Sequence, residues 1–127
     1  MVGCEVAEYL AGKGKRVTIV EKLPTMALGM EGHNRRLLLE RLSRLSVRMI
    51  PEAEVMSFQG ETAVLRQAGM EMEIEAKGIV AAMGAAGDRS GEEFQSCGVP
   101  LYAVGDCAGV RDIAAAIQEG FAAAMRI

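Results

Sequence analysis

The sequence predicts an α/β fold in which a three-stranded antiparallel meander interrupts a short parallel sheet. Three observations predict it. Over residues 1–50, apolar stripes at helical spacing alternate with short β-branched runs. Residues 54–76 break into three short segments separated by glycine-bearing turns, the last alternating with period two. Beyond them, two apolar runs each end in glycine, and the second leads into a closing helix.

Residues 2–11 read as the first helix, with Val6 and Leu10 on one face and Ala7 beside them. The run Gly12-Lys13-Gly14-Lys15 ends it and offers glycine for a left-handed cap. Residues 16–20 are β-branched and apolar, which predicts a buried strand closing at Glu21. Residues 23–32 form a loop around Pro24. A second helix is predicted over 31–45, with Leu38, Leu42 and Leu45 as its stripe and Arg35, Arg36, Arg41 and Arg44 solvating the rest. His33 reads as a solvated residue at its start. A short strand over 47–50 stops at Pro51.

The meander comes next, at 54–58, 62–66 and 70–76. In its third segment Met70, Met72 and Ile74 share one side and Glu71, Glu73 and Glu75 the other, which predicts a half-buried strand with core methionines. A third parallel strand is expected at 79–83, ending at Gly84. Residues 85–98 read as polar loop, 99–104 as a strand, and 112–125 as the last helix, with Asp112 as its N-cap.

The 127 residues suit one domain, and 50% hydrophobic content can fill a core. A net charge of −3 gives no electrostatic footing for nucleic acid, and the lack of tryptophan removes the best stacking platform. No run of 18 apolar residues and no signal peptide is seen, so no membrane contact is expected and a cytoplasmic protein is. Cys4, Cys97 and Cys107 are odd in number and lack CxxC spacing, which predicts reduced thiols in or near the core. One histidine and this cysteine set predict no metal site.

A dinucleotide fold needs a glycine turn that lets backbone N–H groups meet a pyrophosphate at a helix N-terminus. It also needs an acid at the end of the next strand for the adenosine ribose. Gly3 opens a helix, and Glu21 closes the following strand 18 residues later, the spacing that helix, turn and strand require. Gly3 would be the third glycine of the turn, the one that permits close helix–strand packing. Glu21 would repel the 2′-phosphate of NADPH and so favours NADH, while the neighbouring Lys22 partly offsets its charge. The expected architecture is therefore a truncated Rossmann-like parallel sheet with an inserted antiparallel meander, its first strand missing.

VGCEVAEYLAGKGKRVTIVEKLPTMALGM resembles the nicotinamide-binding half of the flavoprotein pyridine-nucleotide oxidoreductases. LYAVGDCAGVRDIAAAIQEGFAAAMRI resembles their closing FAD-binding segment. Among them, the chain is most similar to the flavin reductases that carry an old-yellow-enzyme barrel, the 2-enoate reductase and 2,4-dienoyl-CoA reductase type. The resemblance implies that residues 1–98 belong to a partial NAD(P)-binding domain, with the meander at about 54–76, and that 99–127 close the FAD-binding domain. It implies that Gly3 closes the dinucleotide turn and that Glu21 holds the ribose. Glu5 either lies near the nicotinamide side or is an exposed first-turn acid. Gly84 lets the backbone approach the nucleotide, and in Gly105-Asp106 the acid meets the ribityl–pyrophosphate part of FAD. The helix over 114–120 would lie beneath the flavin. The chain departs from the family in lacking the first two turn glycines, in carrying Gly87-Asp88 where relatives often have proline, and in having no redox CxxC.

These readings predict a fragment truncated at its N-terminus, whose partner is the rest of a parent flavoprotein. The parent would pass hydride from NADH to FAD and onward to an enoate-like acceptor. Alone, the fragment is expected to be inactive, to bind neither cofactor tightly, and to hold NADH at millimolar strength or not at all. That is a roughly thousandfold loss if several backbone contacts worth about 1 kcal/mol each are gone. The alternative is a non-enzymatic remnant that binds nucleotide weakly or self-associates. The empty central slot of the sheet is expected to be filled by residues 101–104, from the same chain or by strand exchange in a homodimer.

Overall fold

The computed structural model describes residues 1–88 and 90–127. Its regular elements are α1 (Val2–Gly12), β1 (Thr18–Val20), α2 (Gly32–Arg44), β2 (Arg48–Ile50), β3 (Ala53–Gln59), β4 (Thr62–Gln67), β5 (Met70–Glu75) and α3 (Ile113–Ala124). Short 3₁₀ turns lie at Ser90–Ser96 and Gly105–Cys107. The chain divides into two compact units, Met1–Ala82 and Met83–Ile127. The division expected at 98/99 falls inside the second.

In the first unit β1 and β2 pair in parallel, Thr18 with Arg48 through Val20 with Ile50. The mixed α/β fold with a Rossmann-like parallel pair and an antiparallel meander is the one the sequence predicts. α1 buries Cys4, Ala7 and Ala11, a stripe of small side chains, while Val6 and Leu10 sit at its margins. The expected face is thus rotated. Small residues let the helix axis approach closely, and the larger Leu38 and Leu42 of α2 fill the space with Met26, Ala27 and Val47. Gly14 takes a left-handed φ of 77°, and the Lys15 N–H returns to the Leu10 carbonyl at 3.1 Å, closing α1.

Glu31 caps α2, its carboxylate accepting from the N–H groups of His33 (2.9 Å) and Asn34 (3.0 Å). Leu45 is exposed, because the last turn has passed beyond the core. The arginine face is not uniformly solvated either. Arg35 is half-buried, its Nε donating to the Met26 carbonyl at 2.7 Å and its guanidinium also reaching Thr25, so it pins the preceding loop. Arg41 pairs with Glu8 and so ties α2 to α1.

The meander runs β3-β4-β5 through two-residue turns at Gly60-Glu61 and Ala68-Gly69. A bulge at Met56 separates the Val55–Leu65 pair from the Ser57–Val64 pair. Ala53, Ala63 and Leu65 bury one face together with Ile50, while Val20, Met72, Ile74 and Ala76 pack at its edge. Met70 is exposed rather than core, since it lies at the tip of the hairpin.

Residues 79–83 were expected as a third parallel strand, but among the described residues they form no ladder. Ile79 and Val80 are exposed, because no strand edge lies beside them. A strand exists through its partner's N–H and C=O groups, and β-branched composition cannot replace them. Residues 99–104 likewise pair with nothing among the described residues.

In the second unit Asp112 caps α3 by accepting from the Ala115 N–H at 2.8 Å, as expected. α3 buries no residue. Gly87 lies against the Gly105–Cys107 turn so closely that a Cβ there would sit 2.5 Å from the Asp106 carbonyl oxygen. Of the three thiols only Cys4 is in a core. Cys97 is exposed, and Cys107 turns outward and donates to the Val104 carbonyl. No helix among the described residues is long and apolar enough to cross a membrane.

Candidate functional site

In the first unit Glu21 and Lys22 lie at the carboxyl end of β1, where ligands bind in parallel α/β sheets. Glu21 follows β1 directly. Its N–H donates to the Ile50 carbonyl (3.0 Å), and its own carbonyl accepts from the Ala53 N–H (3.0 Å), so its backbone prolongs the parallel ladder. The carboxylate accepts from the Leu23 N–H at 3.0 Å, which fixes it in the turn beyond the strand. The other oxygen of the carboxylate has no protein partner among the described hydrogen bonds.

Gly3 lies in the first turn of α1, and a Cβ added there would meet the Ala82 Cβ at 3.2 Å. The helix start is therefore pressed close against the 79–83 segment. No side chain caps α1, whereas carboxylates cap α2 and α3. Burial pushes the Cys4 thiol pKa up, and the carboxylates of Glu21 and Glu5 add to the rise. Glu5 is itself exposed.

Lys22 is engaged elsewhere. Its ammonium sits 3.1 Å from Glu54 Oε1 on β3, and Glu54 Oε2 lies 3.3 Å from the Arg66 guanidinium on β4. The Lys22 and Arg66 hydrogen bonds hold the Glu54 carboxyl below the usual carboxylate range. These residues rim a depression of about 300 Å³ with Glu52, Ala53, Ala68 and Gly69.

The second unit holds Gly84, Gly105 and Asp106. Gly84 has a φ of 98° and Gly105 of 68°, a backbone that favours glycine at both. Gly105 also lies close to α3, a Cβ there coming within 3.5 Å of Ala116, and its N–H donates to Glu119 at 2.8 Å. Glu119 accepts from Arg111 as well. Asp106 is exposed and lines an open depression of about 530 Å³ with Arg111, Asp112, Ile113, Ala116 and Ile117.

Sequence reasoning missed Glu54 and Glu119. Glu119 stands five residues before the end of α3 and gives no signal of its turn-holding bond. Gly87 was visible as a departure from the family pattern, and the structure supplies its reason in the Asp106 carbonyl.

Comparison with known proteins follows this geometry. A model of the family described as "Pyridine nucleotide-disulphide oxidoreductase" matches residues 1–120. An NADH oxidase of Thermoanaerobacter brockii is 32% identical over 131 residues, covering 100% of this chain and 20% of that protein. A 2-naphthoyl-CoA reductase structure superposes with a TM-score of 0.79 at 26% identity, covering 98% of this chain and 19% of that one. A 6-hydroxypseudooxynicotine amine oxidase of Pseudomonas geniculata N1 shares the fold, with a TM-score of 0.81 at 22% identity over 97% of this chain and 20% of that one. The chain thus spans about a fifth of the length of the relatives it matches.

Proposed function

Because the chain belongs to the pyridine nucleotide-disulphide oxidoreductase family, we propose that it supplies part of the nicotinamide-nucleotide groove and the last flavin-contacting segment of a larger flavoprotein reductase. In that parent NADH would give up a hydride and FAD would take it, with the electrons passing on to an enoate-like acceptor. The 32% identity with an NADH oxidase supports the redox role, and the likeness to a 2-naphthoyl-CoA reductase supports the acceptor.

The observation that carries the reading is Glu21. Its backbone is built into the sheet, and its carboxylate is fixed at the strand end by the Leu23 N–H with its other oxygen unclaimed among the described hydrogen bonds. That arrangement suits a nucleotide, with ribose hydroxyls donating to the carboxylate and first-turn N–H groups facing phosphate. Gly3 keeps the helix start close to its neighbour, and Glu5 lies toward the same end. In the second unit Gly105-Asp106, held by Glu119, would face the ribityl–pyrophosphate part of FAD, and Gly84 would admit the nucleotide backbone. NADH is favoured over NADPH because the Glu21 charge repels a 2′-phosphate and Lys22 is paired with Glu54. This protein's residues bind and orient; the cofactors carry the chemistry.

The test joins this chain to the preceding strand, glycine turn and flavin domain of a longer parent and follows anaerobic bleaching of the flavin by NADH. Bleaching is expected, and its absence overturns the reading. The chain alone is expected to bind NADH at millimolar strength or not at all, and micromolar binding would contradict a partial site.

A second reading, a self-associating remnant without activity, is favoured by α3. Ile113, Ile117 and Phe121 are 80%, 67% and 69% exposed along one helical face. Sedimentation of the chain as a monomer at high concentration would remove it.

A further inference from the structure

Five charged side chains lie in the turn that follows β1 or on the rim of the depression beside it. Glu21 is fixed by the Leu23 N–H, Lys22 follows it in sequence, and Glu52, Glu54 and Arg66 rim the adjoining depression. Glu54 gives one oxygen to Lys22 at 3.1 Å and the other to Arg66 at 3.3 Å. Its place is set by the sheet, since the bulge at Met56 puts Glu54 directly opposite Arg66 across the β3–β4 pair. One carboxylate therefore occupies the cation adjacent to Glu21 and a second cation beside it.

We propose that Glu54 is a positioning residue for nucleotide choice: by holding Lys22, it denies this ammonium to a 2′-phosphate and so excludes the phosphorylated nucleotide. The proposal rests on the reading of Glu21 as the ribose-holding acid. Glu21 alone repels a 2′-phosphate, but an adjacent free lysine would offset that repulsion. Glu54 removes the offset. The five charges sum to −1, and Glu54→Gln brings them to zero while releasing both cations. A phosphate dianion would then meet a mobile ammonium on the residue next to its own site. Each pair is solvent-exposed, so the effect is bounded by what such pairs are worth.

The experiment titrates the chain, joined to the preceding strand, glycine turn and flavin domain of a longer parent, with ADP-ribose and with 2′-phospho-ADP-ribose, following the amide resonance of Leu23, the donor to Glu21. In the unaltered chain ADP-ribose is expected to move this resonance and to bind more tightly than its 2′-phosphate. In Glu54→Gln the affinity for the 2′-phosphate relative to ADP-ribose should rise about fivefold, the equivalent of one exposed ion pair. Adding Lys22→Gln to Glu54→Gln should abolish the rise. A purely structural role for Glu54 would weaken both ligands alike and leave their ratio unchanged, and that result overturns the proposal. So does a rise that persists without Lys22. Glu54→Thr removes the same charge with a good strand former and gives the same readout if the glutamine variant folds poorly. If ADP-ribose leaves Leu23 unmoved, the reading of Glu21 falls, and the proposal with it. If ADP-ribose moves Leu23 and the ratio does not respond to Glu54, the proposal alone falls.

Discussion

α1 and α3 are of similar length, 11 and 12 residues, yet they differ completely in burial. α1 sets Cys4, Ala7 and Ala11 against the leucines of α2 and closes a core. α3 carries larger apolar side chains, Ile113, Ile117 and Phe121, and buries none of them. Its hydrogen bonds, its Asp112 cap and its Glu119 link to Gly105 are all in place. Local chemistry is therefore enough to form a helix in both units, and only a complementary surface turns a stripe into a core. The first unit contains that surface in α2, Val47 and the loop residues Met26 and Ala27.

The comparison can be broken at its strongest point. Leu42 is fully buried, and Leu42→Ala should destabilise the first unit by about 2–5 kcal/mol in chemical denaturation. Phe121→Ala, on the exposed face of α3, should change stability by no more than ~0.5 kcal/mol. Alkylation of Cys4 would report the same event, because its buried thiol should react only when the first unit opens, while Cys97 and Cys107 react at once. A large loss from Phe121→Ala would show that α3 has a partner surface after all.

A smaller effect is expected inside the second unit, from backbone rather than side-chain packing. Gly87→Ala places a methyl where the Asp106 carbonyl stands, and should cost about 1–3 kcal/mol. Faster amide exchange at 105–107, with the first unit unchanged, would verify it. Ala68 sharpens the comparison in the other direction. It holds a left-handed φ of 50° in the turn between β4 and β5, so Ala68→Asn should stabilise the meander by about 0.5–1 kcal/mol in thermal melts.

The smallest expected effect is a pH dependence of the first unit. Glu8 has its pKa lowered by its bond to Arg41, and Glu31 by the His33 and Asn34 amides it caps. A carboxylate with a depressed folded pKa contributes stability that is complete above the unfolded pKa and is lost as pH falls through the folded one. The melting temperature should therefore begin to drop below about pH 4, the ordinary carboxylate range, and Glu8→Gln should flatten part of the drop.

Most of the first unit is legible in the sequence because its signals are local. Helix caps, two-residue turns and period-two alternation name α2, the hairpins and β5 to within a residue or two. Residues 79–83 and 99–104 carry equally good strand composition and are not strands, since pairing depends on an edge that composition does not describe. The site divides in the same way. Glu21 is visible from its spacing to Gly3, and the structure adds the Leu23 amide that holds it. The Glu54–Arg66 pair is invisible, because counting back from the turn at Gly60 sets Glu54 opposite Gln67. Arg35 reads as one more surface cation until the loop it pins is seen.

The bulge at Met56 has a consequence for the phase of β3. Directly paired residues share a face, and Ala63 and Leu65 of β4 are buried. Unbroken alternation from the Phe58–Ala63 pair would carry residues 56 and 54 onto that buried face, and with them the Glu54 carboxylate. One unpaired residue resets the phase, so that Ala53 and Val55 take those places and Glu54 emerges on the other side. A designer who straightened this strand while keeping its seven residues would place a negative charge in an apolar layer.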